Sequence, residues 1–117
     1  DALAAAFAPI LRESPAVYLS IDKDVFDPTV VRTNWDQGVF RQEHLEAVIQ
    51  GCSGKLLGCD ITGDVSAYTY NGLFKRFLSR LDGQESPDAN ELGAWQIGQQ
   101  TLNTHLLRLL HAAAAGE

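Results

Sequence analysis

An apolar run that ends in three carboxylates constrains this chain more than any other feature. From Ala16 to Pro28 it reads AVYLSIDKDVFDP, with Val17, Tyr18, Leu19 and Ile21 followed by Asp22, Asp24, Asp27 and then proline. A short apolar run closed by turn chemistry reads as a buried strand, here over about 16–21. If the backbone stays extended past that run, the period of two places Asp22 and Asp24 on one face and Lys23 on the other. Two carboxylates side by side repel each other unless a cation sits between them, and hard oxygen donors suit Mn²⁺ or Mg²⁺. The competing reading is local. Aspartates after a strand form turns and cap helices by accepting backbone N–H groups. Both readings stay open for Asp22 and Asp24.

The rest of the chain alternates in a way that surrounds this strand. Residues 2–13 predict a helix with Leu3, Phe7, Ile10 and Leu11 on one face, limited by Pro9 and ended by Ser14-Pro15. A long turn-rich loop is expected from Asp22 to Gly38, with Trp35 either covering the site or packing over the loop. A second helix follows over 41–51, with Leu45, Val48 and Ile49 inward and Gly51 or Gly54 near its end. Lys55 to Ile61 predicts a second strand, and strand, helix, strand at this spacing implies parallel pairing. Residues 72–82 are amphipathic, with Leu73, Phe74, Phe77, Leu78 and Leu81 opposite Lys75, Arg76, Ser79 and Arg80. Residues 83–87 read as a linker. Asp88-Ala89-Asn90-Glu91 has capping-box spacing and starts a closing helix to about 112. Leu92, Trp95, Leu102, Leu106 and Leu109 form its stripe, which Gln99 interrupts.

Composition narrows the function classes. The chain has 117 residues, 45% of them hydrophobic and 21% charged, which suits one domain or one segment of a larger one. No apolar run approaches the ~20 residues that span a bilayer, and the alanine-rich start lacks the basic region of a signal peptide. A net charge of −6 argues against nucleic acid or an anionic membrane as the main partner, so Lys75, Arg76 and Arg80 read as a solvated face. Cys52 and Cys59 make neither a disulfide framework nor a zinc site and are expected to be buried free thiols, consistent with a cytoplasmic protein. The sequence contains no methionine, so a processed or fragmentary chain is expected.

The string Ser20-Ile21-Asp22-Lys23-Asp24-Val25-Phe26-Asp27-Pro28 resembles the S-x-D-x-D-x-x-D-P signature of the ureohydrolase family, the arginases and agmatinases. Leu56-Leu57-Gly58-Cys59-Asp60-Ile61 is similar to that family's next strand, which ends in an aspartate and a β-branched residue. The resemblance covers about residues 16–66 and implies the C-terminal portion of a three-layer α/β/α fold, its parallel strands part of a larger arginase-like sheet. It implies that Asp22 and Asp24 bind manganese, of which the family holds two ions. Such cations lower the pKa of bound water toward neutrality, which supplies a nucleophile for the trigonal carbon of a guanidino or related compound. Asp64 follows the neighbouring strand and would serve as a further metal ligand or as the partner of a cationic substrate group, unless it only forms a turn or cap before the third helix, expected to start near Asn71. Asp60 would orient a ligand from behind, or would be a buried carboxylate bonded to loop backbone.

The same family places a glutamate three residues after the aspartate of that strand, where this chain has Gly63. It takes its other ligands from an earlier histidine and a D-x-H-x-D motif, neither present in these residues. His44, His105 and His111 fall on predicted helices, where surface or capping roles are expected. A small-molecule substrate is therefore expected, with the rest of the site coming from another chain, a preceding segment or a homo-oligomer, and with no activity from these residues alone. Two further readings remain. A haloacid-dehalogenase-type phosphatase also puts D-x-D after a strand, its first aspartate as nucleophile, but wants Thr or Val where Phe26 stands. A non-catalytic α/β subunit would use the closing helix to dock a partner.

Overall fold

Two parallel strands organise the chain. The computed structural model describes residues 2–67 and 70–117, and the side chains of Leu3 and Ala4 lie outside the described residues, so the expected place of Leu3 in the first helical stripe lies outside them too. Strand β1 (Val17–Asp22) pairs with β2 (Leu56–Thr62), running from Val17 opposite Leu56 to Asp22 opposite Thr62. Four helices accompany them: α1 (Ala2–Glu13), α2 (Gln42–Gly51), α3 (Leu73–Leu81) and α4 (Ala89–Ala115). The protein is thus mixed α/β, with a two-stranded parallel sheet and four helices among the described residues. Parallel strands cannot be joined by a tight turn, and the crossover here carries α2.

One face of the sheet holds the core. Ile21, with Leu19 packed beside it, meets Leu45 and Ile49 of α2 and Leu102, Leu106 and Leu110 of α4. The alternate residues of β1, Tyr18, Ser20 and Asp22, are exposed. Burial of α4 follows the helical period through Gln99, Leu102, Leu106, Leu110 and Ala113. Gln99, expected as an interruption, is therefore part of the stripe, while Leu109 is half-buried beside Leu110. Cys52 is buried, and burial pushes its thiol pKa up. Cys59 departs from expectation and is exposed, although its register partner is Leu19 on the core face of β1.

The segment between β1 and α2 is more ordered than turn chemistry alone implies. A 3-10 turn over Lys23–Val25 follows β1 directly. Phe26 and Phe40 form an isolated parallel bridge, and Gly38 N–H donates to the Asp24 carbonyl at 2.7 Å. A Cβ at Gly38 would lie 2.4 Å from the Val25 carbonyl oxygen, so this closure needs glycine. Inside the loop the Gln37 side chain accepts the Thr33 N–H at 3.2 Å and donates to the Val31 carbonyl at 2.7 Å. Trp35 is partly exposed at the loop's surface.

Helix ends match their local chemistry. Asp88 Oδ1 accepts the N–H groups of Asn90 and Glu91 at 2.8 and 2.9 Å, and Glu91 Oε2 accepts the Asp88 N–H at 3.1 Å, which is the expected capping box. His44 Nδ1 accepts the Arg41 N–H at 3.1 Å and so caps α2. Helix α3 is amphipathic as expected, yet none of its residues is buried. No helix among the described residues is long and apolar enough to cross a membrane.

Candidate functional site

Because β1 and β2 run parallel with their ends in register, Asp22 at the end of β1 and Asp64 just past β2 leave the same edge of the sheet. Ligands collect at the carboxyl ends of parallel strands, so this edge is the candidate site. Each carboxylate there has a distinct environment.

Asp22 caps the 3-10 turn, its Oδ1 accepting the Asp24 N–H at 3.2 Å. The strand stops at Asp22, so the extended geometry that would align Asp22 with Asp24 does not continue. Asp24 follows one residue into the turn. Its Oδ1 is buried and has no hydrogen-bond partner among the described residues. Neither Asp22 nor Asp24 takes part in an ion pair among the described residues. Asp27 belongs to a turn: the Thr29 hydroxyl at 2.6 Å and the Thr29 N–H at 2.8 Å hold its carboxyl below the usual range.

Lys23 is the residue that sequence reasoning missed. It is fully buried, not on an open face opposite the aspartates. Its Nζ pairs with Asp64 Oδ1 and donates to Asn103 Oδ1 on α4 at 3.0 Å. Asn103 Nδ2 also donates to Asp64 Oδ1 at 3.2 Å. The Lys23 hydrogen bond, and secondarily that of Asn103, holds the Asp64 carboxyl below the usual range. One oxygen of Asp64 is thereby committed to a latch joining both strand exits to α4. The cap position of α3 is Gly72, so Asp64 does not cap that helix. Nothing in D-K-D announces a partner eighty residues away, and the reversal in burial comes from the turn that begins at Lys23.

Asp60 braces the sheet. Its Oδ1 accepts the hydroxyl of Ser20, its opposite number on β1, at 2.9 Å, so its bond runs to a strand side chain and not to loop backbone. The Asp60 carboxylate also pushes the Tyr18 hydroxyl pKa up. Between Asp60 and Asp64, Gly63 has φ +82°, and a Cβ there would lie 2.9 Å from Asp22 Oδ1 and 3.0 Å from the Lys23 nitrogen. A glutamate at this position would meet both conformational strain and a steric clash.

The histidines stand elsewhere. His105 pairs with Glu46 at 2.8 Å between α4 and α2, and His111 is exposed. Bonds from Gln42 first, and then from His105, hold the Glu46 carboxyl low. The orphaned oxygen of Asp24 is a hard donor of the kind Mn²⁺ or Mg²⁺ takes, but no group of three His, Cys, Asp or Glu among the described residues can hold a metal ion. No family model matches the chain, and neither a curated protein nor a solved structure was found to match it.

Proposed function

We propose that this chain is the C-terminal part of an arginase-like, metal-dependent hydrolase of a guanidino or related C–N bond, inactive without the remainder of its site. The observation that carries the reading is the buried Asp24 oxygen, without a hydrogen-bond partner among the described residues, at a parallel-strand exit where Asp22 makes no ion pair among those residues. Burying an acceptor without a donor or cation is costly, so this arrangement favours a positive partner. Asp22 and Asp24 would hold part of a manganese shell. What such ions supply when bound is the acidification of water that C–N hydrolysis near neutral pH requires. Asp60 would steady the β1 exit through Ser20, and Lys23 keeps Asp64 turned to the α4 side. Asp64 retains its second oxygen for a cationic group.

A larger three-layer sheet completes this reading. Each strand pairs on one side among the described residues, and Tyr18 and Leu57 are 67% and 81% exposed. The accessible surface is 7673 Å², against about 6,300 Å² for a compact monomer of this mass. Surface of this kind is what further strands and helices would cover.

A second reading, a non-catalytic α/β subunit, is favoured by the Lys23–Asp64 pair, which neutralises one carboxylate without any metal. Manganese titration of the 117-residue chain beside an Asp22→Ala, Asp24→Ala double variant separates the two. The hydrolase reading expects weak binding, with Kd of the order of 0.1–1 mM for so few ligands, abolished in the variant. Equal titrations of the two proteins would favour the non-catalytic reading. Hydrolysis of a guanidino compound by this chain alone would exclude the latter.

A further inference from the structure

Residues 66 and 85 are fastened to one buried side chain. Asn34 Oδ1 accepts the Ser66 N–H at 2.8 Å and Asn34 Nδ2 donates to the Glu85 carbonyl at 2.9 Å. The Asn34 carbonyl accepts the Glu85 N–H at 2.6 Å, and Arg32 pairs with the Glu85 carboxylate at 2.7 Å. The segment between these anchors carries α3, which begins after Gly72 and ends before Asp82. It is an arm tied down at both ends.

The arm presents an apolar face that nothing among the described residues covers. Leu73, Phe74, Phe77 and Leu81 are 82%, 73%, 59% and 65% exposed, and Leu78 is 40% exposed. At 3.6 residues per turn these five side chains fall within an arc of about 140°. Arg76 and Arg80 border one side of the arc and Lys75 the other, and residues 73–81 include no acidic side chain. Soluble surfaces seldom expose so many large apolar groups together unless they meet another phase or partner.

We propose that α3 docks flat on an anionic lipid surface. Two features favour a plane over a groove in another protein. Cations stand on both borders of a broad arc, where their aliphatic stems can lie along the apolar phase while their charges reach phosphate groups. Both ends of the arm return to Asn34, so the helix is offered sideways and not as a free peptide that a cleft could enclose. Charge is complementary locally: α3 holds three cations although the whole chain carries −6. Screening within about 8 Å at physiological salt lets the nearest charges decide the contact. The expectation from net charge alone, that these residues are a solvated face, averages over a distribution that is segregated in space.

Co-sedimentation of the full 117-residue chain with vesicles tests this. Phosphatidylcholine vesicles containing phosphatidylglycerol should bind the chain, and pure phosphatidylcholine should bind it far less. A Lys75→Gln, Arg76→Gln, Arg80→Gln variant should lose about a hundredfold in affinity for the anionic vesicles. A Phe74→Ser, Phe77→Ser variant should lose binding while its melting temperature holds, because neither ring is buried. Absence of binding to anionic vesicles, or binding unchanged in the Phe variant, overturns the proposal. A concentration-dependent dimer abolished by the same Phe substitutions, without vesicle binding, also overturns it and assigns the face to a second copy.

Discussion

Lys23 shows how one side chain sets the character of the strand exit. A buried ammonium is tolerable only with partners, and Asp64 and Asn103 supply them. Asp64→Ala should destabilise the chain by about 1–3 kcal/mol in urea denaturation, the lower end reflecting the solvent around its 64%-exposed side chain. Lys23→Met removes the charge and keeps most of the volume, and should be close to neutral by the same measurement. The pH dependence carries a sign. Because the folded-state pKa of Asp64 is depressed below 3.8, its contribution is present above that value and fades as pH falls through the depressed pKa. Stability curves of the parent and of Asp64→Ala should stay parallel above about pH 4 and converge under stronger acid. A gap that stays constant into acid would show that the ion pair is not what Asp64 contributes.

The helices divide by what holds them. Helix α4 is started by the Asp88 box and held by the core through Leu102, Leu106 and Leu110. Asp88→Ala leaves two N–H groups without their acceptor and should cost about 1 kcal/mol, read as a lower melting temperature. This cap was legible in the sequence because every partner lies within three residues. Buried Gln99 was not: its Nε2 donates to the Arg32 carbonyl at 2.7 Å and the Gly63 carbonyl at 3.2 Å, so an apparent break in an apolar stripe is a bridge between loops. Helix α3 is the opposite case. Its amphipathic pattern was plain, but pattern alone says that a face is apolar and not what the face meets.

The molecule is long for its size, 48 × 25 × 24 Å with a radius of gyration of 16.5 Å, where a compact chain of this length would have about 13 Å. Its core is correspondingly narrow, and Leu106 lies fully buried within it. Leu106→Ala should cost about 2–5 kcal/mol. Set against the roughly 5–15 kcal/mol that holds a typical domain together, that loss should bring the urea midpoint sharply down. A loss below about 1 kcal/mol would mean that the buried leucines do not cooperate as one core.

The sequence by itself determined the order of strands and helices, the parallel pairing and the delivery of carboxylates to one edge of the sheet. Those properties come from periodicity, capping and connection length, which act over a few residues or along one element. It also offered the resemblance at Asp22 and Asp24, whose implied metal is a matter for titration. Only the tertiary structure decided that Lys23 is buried, that Asp64 answers it from 41 residues away and Asn103 from 80, and that Asn34 ties down both ends of the arm. Burial and its polar partners depend on which distant segments meet, and no local pattern encodes that meeting.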